Sequence, residues 1–276
     1  MIGVVTDSSS DLPRAIRDEL GIAVVPLTVR FGTETFLDGF DVDHDQFWSR
    51  LRSSRTLPEI TAPGAGAFVD AFDRVTRSEV EEVVVVTLSS RLSGTHQAAV
   101  MAAEAVAPRL RVRVVDSHSV SMGLGLAVIA AAETAAGGGD LAAVAASAYE
   151  AARATEFVAI PATVEFLERG GRLHRIQALM ATALDLRPVL TVRDGVVAAD
   201  GRARTRSGAR SEMARRAAGA SDGVRLSVID GAATDIDEFV DAVETAVGHE
   251  VLVAGLGPVV GTHTGPGTVG LAYQRV

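Results

Sequence analysis

Val83 to Val86 form an unbroken apolar run that empties at Thr87 into T-L-S-S-R-L-S-G-T-H-Q, ending at Gln97. A strand without polar alternation has to be covered on both faces, which points to a parallel sheet flanked by helices. The turn that follows is rich in hydroxyls and glycine and leads into a helix expected over Gln97 to Val106. Such a junction brings Ser89, Ser90, Ser93, Gly94 and Thr95 together with the free N–H groups of a helix start, a combination that suits an anion. No lysine or acidic residue interrupts it, so a carboxylate or phosphate would be held there by neutral donors. The plainer alternative is that Ser93 or Thr95 only caps the helix.

The same alternation of short apolar runs and helical patterns fills the first half of the chain. Ile2 to Val5, Ala23 to Val29, Val83 to Leu88 and Arg111 to Val115 are expected strands. Leu12 to Leu20, Asp43 to Arg52, Gly66 to Arg77 and Ser119 to Ala136 are expected helices. Beyond residue 154 the pattern changes. Phe157 to Pro161, Val189 to Arg193, Gly195 to Asp200, Val224 to Asp230 and Glu250 to Leu256 predict strands, with an Asp194-Gly195 turn that favours an antiparallel hairpin. The expected fold is α/β in two domains: a parallel sheet with helices on both faces over residues 1–154, and a mixed or antiparallel α+β domain over 155–276.

Ligands of an open parallel sheet gather at the carboxyl ends of its strands. Polar clusters stand at three of those ends: Thr6 to Ser9, Ser93 to Thr95, and Asp116 with Ser117. Each can also be a local cap or turn.

Composition removes several function classes. The net charge of −9 opposes a broad nucleic-acid-binding face. Cysteine and lysine are both absent, so disulfides, thiolate metal sites, Schiff-base lysines and P-loop lysines are excluded. The six histidines show no metal-ligand spacing, and no metal is expected. The longest apolar stretch, Met122 to Ala132, is too short to span a bilayer, and nothing at the start resembles a signal peptide. A cytoplasmic protein without stable membrane insertion is expected. One basic island, Arg202 to Arg216, holds Arg202, Arg204, Arg206, Arg210, Arg215 and Arg216; it is either a solvated helix face or a partner surface.

T-D-S-S-S-D-L at Thr6 to Leu12, the Leu37-Asp38-Gly39 turn, the Leu88 to Gln97 loop, and Asp116 with Ser117 resemble motifs of the DegV family. G-G-R at Gly170 to Arg172, Arg187-Pro188 and H-T-G-P-G at His263 to Gly267 extend the resemblance, in order, along the whole chain. The resemblance implies a two-domain bacterial fatty-acid carrier, with the acyl chain buried between the domains. It implies presentation of the bound acid to a separate fatty acid kinase, or a part in lipid transport, with no cofactor and no catalysis by the chain itself.

Carried onto this sequence, the resemblance implies carboxylate contacts at Thr61 and Ser93 with His263 nearby, and Arg172 steering the phosphate donor. On the same reading Arg202 and Arg204 are charges for partner or phosphate handling. Phe166, Ile176, Leu179 and Met180 are positional candidates for the tunnel lining. One departure is Thr61-Ala62-Pro63, where the family often has Ser-Gln-Pro: the hydroxyl is kept and the amide is lost. From its neighbours alone, His263 lies in a glycine-dense segment where it can equally bond a backbone carbonyl. The rival expectation is a small-molecule phosphotransferase or hydrolase that uses Asp7, after the first strand, as nucleophile or metal ligand and the Ser93 loop as a phosphate cradle.

Overall fold

The structure is a computed structural model that describes residues 1–76, 80–170, 187–219 and 225–274. In chain order the first part runs β1 (Ile2–Asp7), α1 (Arg14–Glu19), β2 (Ala23–Val25), β3 (Thr28–Phe31), β4 (Glu34–Leu37), α2 (His44–Ser53), β5 (Glu59–Thr61), α3 (Ala65–Val75), β6 (Glu82–Thr87), α4 (Thr95–Val106), β7 (Arg111–Asp116), α5 (Met122–Ala136) and α6 (Leu141–Ala154). The second part contains β8 (Thr155–Ile160), α7 (Glu165–Arg169), β9 (Arg187–Arg193), β10 (Val196–Ala203), α8 (Arg206–Ala218), β11 (Leu226–Gly231), α9 (Ile236–Val247), β12 (Leu252–Gly255), α10 (Pro258–Thr264) and β13 (Thr268–Gln274).

The two-domain α/β architecture follows from this order. The first domain has a parallel sheet in the order β2-β1-β6-β7. Its centre is the valine run, with Val83, Val84, Val85 and Val86 all fully buried. Val83 and Val85 pack with Phe68 and Phe72 of α3, while Val84 and Val86 join the larger core with Leu124 and Val128 of α5. One valine run thus feeds both faces of the sheet, as its lack of polar alternation requires.

The second domain has a six-stranded mixed sheet in the order β10-β9-β8-β13-β11-β12. Only the β11–β12 pair is parallel. Asp194 and Gly195 both take positive φ, 50° and 74°, and close the β9–β10 hairpin with Arg193 opposite Val196. That is the geometry an Asp-Gly connection favours.

Local chemistry sets several helix starts. Asp43 accepts from Gln46 N at 2.8 Å and Gln46 Oε1 accepts from Asp43 N at 3.2 Å, a reciprocal capping box that opens α2. Asp140 accepts from Ala143 N at 2.8 Å at the start of α6, and Thr205 accepts from Gly208 N at 3.0 Å at the start of α8.

Two features depart from the sequence expectation. The strand expected over Ala23 to Val29 is two strands, because Pro26 cannot donate to a ladder. β2 pairs with β1, whereas β3 founds a separate antiparallel sheet in the order β4-β3-β5. The C-terminal segment, whose glycines suggest turns, contains the short helix α10 and then β13, which lies between β8 and β11.

Candidate functional site

The hydroxyl-rich loop after β6 does not converge on one point. Asp7 fixes its first residue: Oδ2 accepts from Leu88 N at 2.9 Å, and Oδ1 accepts from Ser9 N at 3.1 Å and from the Ser9 hydroxyl. Ser89 is buried and donates 2.7 Å to Gly195 O at the hairpin tip of the other domain. Ser90 N donates to the Asp116 carboxylate at 3.2 Å. Ser93 Oγ and Thr95 Oγ1 share a 2.9 Å hydrogen bond, and Thr95 N donates to Ser93 Oγ at 3.3 Å. Thr95 is fully buried, so its hydroxyl holds Ser93. Gly94, the residue before α4, offers that helix no side-chain cap, so beyond the Thr95 N–H held by Ser93 its first-turn N–H groups have no cap from Gly94. Ser93 and Gly94 are thus the two residues of the expected cluster that face a cavity.

That cavity, about 310 Å³, lies between β5 and the loops that follow β2, β6 and β7 on one side and the sheet and α10 of the second domain on the other. Leu27, Ile60, Ala62, Leu88 and Leu92 line it from the first domain. Phe157, Ala159, Leu190, Val192 and Val197 line it from the second sheet, and Val259, Val260, His263 and Thr264 from α10. The hydroxyls of Thr191 and Thr264, also in the lining, are turned to backbone carbonyls, those of Phe157 at 2.7 Å and Val260 at 3.2 Å. Ser93, Gly94 and His263 therefore remain as the polar residues of a largely apolar lining whose groups are not turned to backbone carbonyls. The His263 ring packs on Gly170, where an added Cβ would collide with Nδ1 and lie 3.0 Å from Phe166 O. The first glycine of the Gly-Gly-Arg motif thus makes room for the imidazole. A polar cleft of about 640 Å³, lined by Arg91, Asp116, His118 and Arg193, shares Thr191 and Val192 with the cavity wall.

The remaining sequence-derived positions fall elsewhere. Thr61 ends β5 opposite Thr28, is exposed, and is absent from the described lining, whereas its neighbours Ile60 and Ala62 are in it. Alternation along an extended chain accounts for this. Arg172, Ile176, Leu179 and Met180 lie outside the described residues. Phe166 packs against Gly265 and the main core. The basic island divides: Arg206 and Arg210 bind Asp235, Arg215 pairs with Glu212, and Arg216 pairs with Glu212 and Asp200. Arg202 and Arg204 are exposed at the end of β10. Apart from His263, the lining from β8, β9 and α10 was not singled out from the sequence. Its only sequence signal is ordinary strand and helix hydrophobicity, which does not separate cavity wall from core.

Asp7 has none of the access a nucleophile needs. It is fully buried, and burial lifts its pKa to about 6 against the opposing hydrogen bonds from Ser9 and Leu88. Among the described residues no group of three His, Asp or Glu side chains is placed to hold a metal ion, and no helix is long and apolar enough to cross a membrane.

The chain matches the sequence model of the DegV family, described as "Uncharacterised protein, DegV family", over residues 1–276. It belongs to the DegV family. A DegV domain-containing protein of Streptomyces coelicolor is 34% identical over 281 residues, covering 99% of this chain and 98% of its own. The fold superposes on a DegV family protein from Thermus thermophilus described for its fatty acid binding, with TM-score 0.89, 33% identity, and 100% and 99% of the two chains covered. DegV of Bacillus subtilis, described as a fatty acid binding protein, gives TM-score 0.89 at 26% identity, with 100% and 99% covered. This DegV family member thus has the fold of relatives described as binding fatty acids.

Proposed function

We propose that this DegV family member is a non-catalytic carrier that binds one long-chain fatty acid in the cavity between the loops of its first domain and the sheet of its second. The observation that carries this reading is a 310 Å³ largely apolar cavity in which Ser93, Gly94 and His263 are the polar lining residues whose groups are not turned to backbone carbonyls, as those of Thr191 and Thr264 are. The volume lies at the small end of ordinary ligand sites, about 300–1,000 Å³. Each buried methylene contributes about 0.8 kcal/mol, so an acyl chain supplies most of the affinity and the head group mainly sets orientation. In this reading the carboxylate sits at Ser93 Oγ, the start of α4 at Gly94, and His263, because a buried carboxylate needs donors. Thr95 holds Ser93 in place, and Thr61 serves the site from its edge. Residues 1–154 supply the anion loop and 155–276 complete the site.

The carrier presents its acid to a separate fatty acid kinase, with Arg172 and the exposed Arg202 and Arg204 handling partner or phosphate, or it serves lipid transport. A phosphotransferase or hydrolase centred on Asp7 has no support, since that carboxylate is buried and bonded through both oxygens.

The test is palmitate titration of delipidated protein. Ser93→Ala is expected to weaken binding about tenfold, the loss of one hydrogen bond to a charged group. Thr61→Ala is expected to have a smaller effect. A parent protein that takes up neither palmitate nor oleate would sink the carrier reading.

A further inference from the structure

Four residues of the cavity lining, Val259, Val260, His263 and Thr264, stand on the seven-residue helix α10. A helix this short has little stability of its own, so its position has to be fixed by what grips it. Its N-terminal grip comes from the opposite end of the chain. Asp11 Oδ1 accepts a 3.1 Å hydrogen bond from Gly257 N, across 246 residues, and Asp11 Oδ2 accepts the hydroxyl of Ser121. Gly257 is the residue before α10, and Ser121 the residue before α5.

The contact is built closely on all three sides. Asp11 and Ser121 hold positive φ of 53° and 52°, uncommon for residues with a side chain. A Cβ on Gly257 would come within 2.6 Å of Asp11 Oδ1, so glycine is what allows the carboxylate to reach the backbone. One turn further along, Gly261 faces the ring of Trp48, where an added Cβ would lie 2.8 Å from Cη2. Trp48 is buried and is the sole tryptophan of the chain.

We infer that Asp11 is the positioning residue for the His263-bearing wall of the cavity, its carboxylate tying Gly257 and thereby α10 to the first domain. This assigns a role to the second aspartate of T-D-S-S-S-D-L. Asp7 holds the start of the Ser93 loop through Leu88 N, and Asp11 holds the helix that faces it, so one turn after β1 sets both polar parts of the site. The inference rests on the fatty-acid reading of the cavity for its consequence, but not for its geometry.

The experiment compares delipidated parent protein with Asp11→Ala, Asp11→Asn and Gly257→Ala, reading Trp48 emission without ligand and palmitate affinity by titration. Asp11→Ala and Gly257→Ala are expected to shift the emission and to weaken palmitate roughly tenfold. Asp11→Asn is expected to restore most of both, because its amide oxygen still accepts from Gly257 N and its NH₂ donates to Ser121 Oγ. A folded Asp11→Ala with parental emission and affinity would overturn the assignment, as would a shifted emission with parental affinity. If Asp11→Ala does not fold, Gly257→Ala and Asp11→Asn carry the same test. A parent that binds no palmitate refutes the ligand reading, and the emission series then decides the role of Asp11 by itself.

Discussion

Asp38 sits in the Leu37-Asp38-Gly39 turn with its Oδ2 buried and without a hydrogen-bond partner among the described residues. Burial lifts its pKa to about 7, with the nearby Asp7 adding to the rise, and the Ser8 hydroxyl and Arg17 opposing it. An aspartate in the unfolded chain titrates near 3.9, about three units lower, so the folded protein holds protons that the unfolded chain releases. Stability from this group is therefore complete below about pH 4 and is lost as pH rises through 7. Asp38→Asn is expected to raise the melting temperature at pH 8 by several degrees and to change it little at pH 4. Thermal melts at the two pH values check this, and a lower melting temperature at pH 8 would contradict it. Residue roles were unevenly legible. Ser93 stood out because a hydroxyl between an apolar strand and a helix start has a chemical meaning without any structure. The outward face of Thr61 did not, because β5 spans only Glu59–Thr61 and its register is set by pairing with β3.

Among the elements, the β9–β10 hairpin closes one side of the cavity and is anchored at its tip by the other domain. Ser89 Oγ donates 2.7 Å to Gly195 O, and Arg91 donates 2.9 Å to Asp194 O. Its ladder to β8 pairs only Thr191 with Val158 and Leu190 with Ala159, so the tip contacts carry much of its attachment. Gly195→Ala puts a side chain at φ 74° with its Cβ 2.6 Å from Ser89 Oγ. Denaturant unfolding is expected to show a loss of about 1–3 kcal/mol, and an unchanged midpoint would refute the anchor. Asp194-Gly195 was readable because few other dipeptides make that turn. β13 was not, because its place between β8 and β11 is a property of long-range pairing, with β8 across more than 100 residues. A segment beginning T-V-G-L after a glycine-rich turn carries no local mark of that centrality.

At the scale of the molecule, loops of the first domain and the sheet of the second enclose the cavity, and hydrogen bonds from opposite ends of the chain hold its parts in register. The order of parallel elements up to β7 was legible because each buried strand had to be covered on both faces. The enclosed space was not, since Leu190 and Val192 have the same sequence signature whether they face a ligand or a core. The exposed Arg202 and Arg204 belong to this scale as well. Replacing both with Ser is expected to slow acyl-phosphate formation by a fatty acid kinase while leaving palmitate affinity unchanged, and an unchanged rate would remove them from partner handling. The central claim is tested most directly by weighing the protein as purified, first by native and then by denaturing mass spectrometry. The account predicts one added mass in the fatty-acid range that is released on denaturation. An empty protein that also fails to take up palmitate or oleate would contradict it.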